Sequence, residues 1–140
     1  MLVSLPRYAL LYILFVAGLA LLTYLLDEFL GFTLPNGVST VVPAMMAALI
    51  EGGKIAPRLQ RAMTNSEAWW SALAMTAVVA VVSFAVFAAL LVVSPQIGSF
   101  FSLLSVGLLI GVFFFLLLIV LVINRFFLTM GLNTALRKQG

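Results

Sequence analysis

Long apolar stretches separated by short polar segments dominate the chain. Residues 8–26 carry no charged side chain, and neither do residues 68–124. A helix needs about 20 apolar residues to cross a hydrocarbon core about 30 Å thick, so the second stretch is long enough for two helices. Pro95 interrupts it, because proline disfavours helix at its own position and at the residue before it. The pattern therefore predicts transmembrane helices over residues 8–27, 67–93 and 97–124.

A further transmembrane helix is predicted over residues 38–55, although its uncharged part is short and stops before Glu51. Glu51 and Lys54 are three residues apart and can pair on one helix face, which Arg58 shares. Long charged side chains can reach water from the edge of a membrane, so this position tolerates such charges. Pro57 is expected to end the helix, because it disfavours helical backbone at the residue before it.

The distribution of charge favours this additional crossing. With four helices across the membrane, all seven lysines and arginines lie on the side of the termini, whereas Asp27 and Glu28 lie on the other side. Basic loops prefer the cytoplasm, so both termini are predicted to be cytoplasmic. The predicted fold class is an all-α integral membrane four-helix bundle. It forms one domain over residues 1–140, with a cytoplasmic tail over residues 125–140.

The composition agrees with a lipid environment and limits the chemistry available to the chain. It is 65% hydrophobic and 8% charged, whereas charged residues make up about a quarter of a typical soluble domain. It has no histidine and no cysteine, which excludes Ser-His-Asp relays, histidine-ligated haem and thiolate metal sites. We therefore expect no enzymatic activity, no cofactor and no metal site. Membrane orientation accounts for the net charge of +3, so we expect contacts with anionic lipid headgroups and no nucleic-acid partner.

Small residues in the third and fourth helices indicate where two helices can approach closely. They recur at spacings that place them on shared helix faces, and in lipid such faces promote association through close packing. The residues are Gly98, Ser102, Gly107 and Gly111 in the fourth helix and Ala74, Ala77 and Ala88 in the third. The favoured interpretation is a contact between these two helices. The alternative is a contact with another subunit.

A polar row follows the last apolar stretch. Arg125, Thr129, Asn133 and Arg137 recur every four residues and therefore share one face of an amphipathic helix that extends the fourth span. One interpretation is a helix at the membrane surface with this face in water. The alternative is a docking surface for a larger partner.

The start of the third helix carries a capping signal. Thr64 and Glu67 have the spacing of a capping box, in which each side chain bonds the backbone amide of the other residue. Trp69 and Trp70 follow at once, as is typical of a helix that enters a membrane.

Glu51 is the acidic residue that falls inside a predicted span, whereas Asp27 and Glu67 stand at span ends. An intramembrane carboxylate is a candidate proton or cation site. The favoured interpretation is instead that Lys54 and Arg58 neutralise it in an ion pair at the cytoplasmic edge of the membrane.

The arginine that leads into the T-x-x-E cap at residues 61–67, the chain length and the small-residue segment at residues 43–53 resemble a known protein family. It is an uncharacterised family of small bacterial inner-membrane proteins with four predicted transmembrane helices. The resemblance implies a bacterial inner-membrane location and adds no site residue.

Two functions are compatible with these observations. The first is a non-catalytic accessory or structural subunit of a larger bacterial inner-membrane complex, such as a respiratory or photosynthetic one. The second is a small homo-oligomeric carrier or channel that uses Glu51. Carriers usually place several polar groups near the middle of the membrane. The predicted spans offer mostly isolated hydroxyl groups there, which favours the accessory subunit.

Overall fold

The computed structural model describes residues 2–32, 38–94 and 105–138, and for residues 38–40 it describes the backbone alone. Four α-helices make up most of this part of the chain, which confirms the all-α prediction. They are α1 (Leu5–Leu30), α2 (Val38–Leu59), α3 (Asn65–Val93) and α4 (Val106–Arg137).

Three of these helices, α1, α3 and α4, are long and apolar enough to cross a membrane. The 29 residues of α3 and the 32 residues of α4 exceed the length that a crossing requires. The second half of α2 carries Glu51, Lys54 and Arg58, and α2 is not among the candidate spans of the described residues. The described chain is thus a helical bundle with several candidate spans, as expected of a multi-pass membrane protein.

α1 ends later than its acidic residues suggest. Gly31 adopts a left-handed conformation with φ of 61°, which an L side chain disfavours. Its N–H donates to the carbonyl oxygen of Asp27 at 3.0 Å, and the N–H of Phe32 donates to that of Leu26 at 3.2 Å. The first of these hydrogen bonds is that of an αL cap, in which a left-handed residue just past the helix bonds back to its last turn. The helix therefore continues past Asp27 and stops at the glycine.

The prediction that Pro57 ends α2 is wrong. Both Pro43 and Pro57 lie inside the helix. The N–H of Gln60 donates to the carbonyl oxygen of Ala56 at 3.0 Å, so helical hydrogen bonding resumes beyond the proline. Gln60 itself has a positive φ of 50°, and this left-handed residue follows the last helical residue. Proline lacks the backbone N–H that would bond one turn back, so each of these prolines removes one hydrogen bond from α2.

The starts of α3 and α4 are capped by side chains. The predicted capping box is present, because the Thr64 hydroxyl accepts from the Glu67 N–H at 3.3 Å and Glu67 accepts from the Thr64 N–H at 2.8 Å. At α4, the Ser105 hydroxyl accepts from the N–H of Leu108 at 3.3 Å. The part of the predicted fourth span at residues 97–104 lies outside the described residues. From Val106, α4 is continuous to Arg137, which confirms a helical extension past Arg125.

The four helices pack in the ring order α1–α2–α4–α3. α2 packs chiefly against α4 and also against α1, while α3 packs against α4 and α1. The buried side chains concentrate in one half of the bundle. This half comprises the first turns of α1, most of α2, the first half of α3 and the second half of α4. Its most deeply buried apolar members are Tyr8, Ala44, Ala47, Ala48, Ala56, Met75, Leu128 and Leu132.

The opposite half of the bundle exposes large apolar side chains along α1, α3 and α4. Examples are Leu21 on α1, Phe84 on α3 and Phe114 on α4, each more than 60% exposed. Soluble proteins rarely expose apolar surface on this scale. These faces suit contact with lipid or with other apolar helices.

Candidate functional site

α2 and α4 approach each other at two glycines, and this contact holds α2 in the core. A Cβ atom at Gly52 would collide with the backbone carbonyl oxygen of Leu128 and would lie 2.9 Å from the nitrogen of Leu132. A Cβ atom at Gly131 would collide with the carbonyl oxygen of Leu49. Both obstacles are backbone atoms, which cannot rotate away. Glycine is therefore required at both positions for this crossing.

Glu51 lies beside this crossing and is fully buried. Its Oε2 atom accepts a hydrogen bond from Nε of Arg7 at 2.7 Å, and its Oε1 atom accepts one from the second guanidinium nitrogen at 2.7 Å. The backbone N–H of Ser4 donates to Oε1 at 2.8 Å. The carboxylate is thus held by a two-pronged, charge-assisted pair and by the amide that precedes α1. This contact ties α2 to the start of α1.

The partner of Glu51 differs from the one that the sequence suggests. Lys54 and Arg58 are exposed, and among the described ion pairs Glu51 is joined to Arg7 alone. Lys54 is close to Glu51 in sequence, but Glu51 points into the core whereas Lys54 points outward. Arg7 belongs to α1, which packs against α2, so the pair depends on tertiary structure. The expected ion pair of Glu51 with Lys54 and Arg58 is corrected accordingly.

A second buried polar contact joins three helices. The hydroxyl of Tyr8 in α1 donates to Oδ1 of Asn124 in α4 at 2.8 Å. Nδ2 of Asn124 donates to the hydroxyl of Thr76 in α3 at 3.2 Å. Tyr8 and Asn124 are fully buried and Thr76 is nearly so. Together with Arg7 and Glu51, these three residues form what we call the polar layer, and it contains a side chain from every helix.

An aromatic pair adjoins the polar layer. The rings of Tyr8 and Tyr12 are almost parallel, with an interplanar angle of 8° and centroids 6.4 Å apart. The residues are one helical turn apart on α1 and face the core. The hydroxyl of Thr76, which looks isolated in the sequence, serves the contact between α3 and α4 through Asn124.

The polar row of α4 divides into two parts. Arg125 reaches α3, where one guanidinium nitrogen donates to Oδ1 of Asn65 at 2.5 Å and the carbon Cζ lies 4.5 Å from the ring centroid of Trp69. The hydroxyl of Thr129 donates to backbone carbonyl oxygens of its own helix. Asn133 and Arg137 are exposed. The docking of a partner on this polar row stays a prediction. Arg125 itself makes a structural contact with α3.

The predicted small-residue contact between α3 and α4 does not form within the described residues. A Cβ atom at Gly107 or Gly111 would have no neighbour within 4 Å. Ala77 and Ala88 are exposed, and Ala74 is half-buried. Gly98 and Ser102 lie outside the described residues. α3 and α4 instead meet nearer the polar layer, because their polar side chains and large apolar side chains pack there.

Arg61 and Glu67 form an exposed ion pair at the start of α3. Two guanidinium nitrogens of Arg61 donate to the two carboxylate oxygens of Glu67 at 3.0 and 2.8 Å. These hydrogen bonds raise the pKa of the Arg61 guanidinium above its usual value. The pair reinforces the capping box, because the same carboxylate also accepts from the N–H of Thr64.

The polar layer joins the helices to one another through hydrogen bonds and an ion pair. Both oxygens of Glu51 and both polar atoms of the Asn124 amide already have partners within the bundle. Comparisons with known proteins find no matching family model, no similar curated protein and no solved structure of matching fold. Functional inference therefore depends on the geometry of the chain.

Proposed function

We propose that all four helices cross a bacterial inner membrane and that both termini are cytoplasmic. The position of α2 supports the additional crossing, because α2 packs along α1 and α4, which are both candidate spans. An unpaired carboxylate at that depth would be costly in lipid, but Arg7 neutralises Glu51. Lys54 and Arg58 are exposed and can extend to the headgroups. The basic side chains then share the cytoplasmic side.

Within this membrane, the protein acts as a non-catalytic accessory or structural subunit of a larger complex, such as a respiratory or photosynthetic one. The burial of Glu51 and its pairing with Arg7 carry this proposal. A carboxylate that serves a carrier must exchange its proton or cation with a polar path. Glu51 is instead fully buried, paired with Arg7 and bonded to the amide of Ser4. These contacts favour a role in holding the bundle together.

The open faces of the bundle supply surface for a partner. Gly107 and Gly111 lie on an exposed side of α4, so the backbone there is accessible to a helix of another subunit. Asn133 and Arg137 are exposed at the end of the same helix and extend the surface into the aqueous phase. For the small residues of α4, contact with another subunit is therefore the better interpretation.

The proposal is tested by purifying a tagged full-length protein from its native membrane in mild detergent. We expect a larger complex of constant composition to copurify. Gly111→Ile should weaken copurification, since a branched side chain would block close approach by a partner helix, whereas no described atom of the chain lies within 4 Å of a Cβ atom there. Leu108→Ile, an exposed swap of similar volume on the same helix, is the matched control.

Two results would contradict the accessory role. One is a protein that runs only as an oligomer of itself and conducts ions in liposomes, which would favour the carrier or channel. The other is a complex that survives Gly111→Ile as well as it survives the control, which would remove the role of this face.

A further inference from the structure

Two grooves run along the first half of α3, one on either side of a ridge made by Trp70 and Leu73. The first has a volume of about 640 Å³ and passes over the small side chains of Ala74 and Ala77. The second has a volume of about 230 Å³ and lies between the ridge and Leu121 of α4. Both grooves are open and almost entirely apolar, which is the surface that a hydrocarbon chain requires.

The first groove begins at polar residues and ends in apolar ones. It extends along α3 from Ser66 to Ala77, a distance of about 16 Å at a helical rise of about 1.5 Å per residue. Trp69 and Trp70 stand at the polar end and are 39% and 70% exposed. Exposed tryptophans are typical of the level at which lipid headgroups meet acyl chains. The first groove therefore has the polarity gradient of a lipid.

Two arginines and one carboxylate lie near the polar end. Arg125 lies over the ring of Trp69 and binds Asn65, while its buried Nε atom has no hydrogen-bond partner in the described part of the chain. Arg61 lies beside the first groove through its pair with Glu67. The Glu67 carboxylate would repel an anion, but both of its oxygens already accept hydrogen bonds from Arg61. The first turn of α3 adds the positive end of a helix dipole.

We propose that this surface binds one anionic diacyl phospholipid, with an acyl chain in each groove and the phosphate between Arg61 and Arg125. Paired grooves on either side of one ridge match the two chains of such a lipid. The flanking arginines match its phosphate, and guanidinium groups bind phosphate through paired hydrogen bonds. The inference rests on the proposed crossing of α3, with its first turn at the membrane surface. It does not depend on the accessory role.

The two tryptophans of the chain allow a direct test, because both lie at the site and no others contribute fluorescence. The full-length protein is reconstituted into phosphatidylcholine vesicles that contain a minority of brominated lipid, which quenches tryptophan on contact. We expect brominated phosphatidylglycerol to quench more strongly than brominated phosphatidylcholine with the same acyl chains. The apparent preference should be on the order of five-fold for each arginine that contacts the phosphate.

Matched variants separate the headgroup site from the grooves. Arg125→Gln keeps a donor for Asn65 but removes the charge, so the preference for phosphatidylglycerol should fall about five-fold. Arg137→Gln removes an exposed charge from the end of the same helix and should leave the preference unchanged. Ala77→Leu fills the first groove and should weaken quenching by both lipids. Ala88→Leu, at an exposed position of α3 outside the grooves, is its control.

Equal quenching by the two brominated lipids would overturn the proposal, as would equal effects of Arg125→Gln and Arg137→Gln. Absence of quenching by either lipid would also overturn it, because another protein surface would then cover the grooves. A clear lipid preference in a protein that copurifies with no larger complex would leave this site intact and contradict the accessory role. The two proposals therefore fail through different measurements.

Discussion

Single residues determine how closely the helices pack. Gly52 and Gly131 place the backbones of α2 and α4 in direct contact, and Glu51 next to Gly52 is then buried. Arg7 offsets the cost of burying that charge. At the neighbouring Gly53, by contrast, no atom of the described residues lies within 4 Å of where a Cβ atom would stand. The glycine pair in α2 thus contains one residue required by packing and one that packing does not require.

Replacement of the two neighbouring glycines by alanine should have opposite effects. Gly52→Ala should lower the free energy of unfolding by at least about 2 kcal/mol, because its Cβ atom would overlap the backbone at Leu128. Gly53→Ala should leave stability unchanged or raise it by up to about 1 kcal/mol, because alanine is the better helix former. Unfolding in mixed detergent micelles measures both. Equal loss of stability in the two variants would contradict the crossing.

Removal of the charge on Arg7 should destabilise the bundle far more than removal of the charge on Lys54. Breaking a fully buried ion pair costs about 3–5 kcal/mol. The side chain of Arg7 is 36% exposed, so we expect about 2 kcal/mol for Arg7→Gln after allowance for solvent screening. Lys54→Gln should change stability by less than about 0.5 kcal/mol. The same unfolding measurement compares the two variants. A larger loss of stability for Lys54→Gln would favour the Glu51–Lys54 pair that the sequence spacing suggests.

The site residues could be predicted from sequence only where their contacts are local. Thr64 and Glu67 interact over three residues, so the capping box is readable from the chain. Arg7 and Glu51 are 44 residues apart, and Tyr8 and Asn124 are 116 apart. Their pairing depends on which helices are neighbours, and periodicity does not encode that. The sequence signal for Asn124 is its position, because it is an amide side chain at the end of a long apolar run.

At the level of elements, helix existence follows from hydropathy while helix limits follow from local backbone chemistry. α1, α3 and α4 are predicted by their uncharged lengths. α1 ends at a left-handed glycine and α2 before a left-handed glutamine, and only the first of these residues is a strong sequence signal. The small-residue segment at residues 43–53 could have indicated that α2 is the tightly packed helix. Its charged residues concealed that role.

Asn124 should hold α1, α3 and α4 in register. Asn124→Leu would leave the buried hydroxyls of Tyr8 and Thr76 without their shared partner, and we expect a loss of about 1–2 kcal/mol. Asn133→Leu, on an exposed face of the same helix, should have little effect. Tyr8→Phe combined with Asn124→Leu should cost less than the sum of the single changes. Strict additivity would show that the two side chains do not interact.

At the level of the whole molecule, the bundle has a packed half and an open half. The packed half contains the polar layer, the glycine crossing and nearly all buried side chains. The open half presents apolar faces of α1, α3 and α4, among them Gly107 and Gly111. This division fits a subunit that is stable through one half and binds a partner through the other. Because α2 packs against α1 and α4 in the packed half, the arrangement of the whole bundle in a membrane depends on whether α2 crosses it.

Whether α2 crosses the membrane is tested by finding on which side of the membrane the segments before and after it lie. A reporter active only in the periplasm is inserted at Asn36, before α2, and, in separate fusions, after Gln60 and at the C-terminus. We expect activity at Asn36 and silence at Gln60 and at the C-terminus, because α2 would carry the chain back to the cytoplasm. The same activity at Asn36 and Gln60 would place both ends of α2 on one side of the membrane and contradict the account.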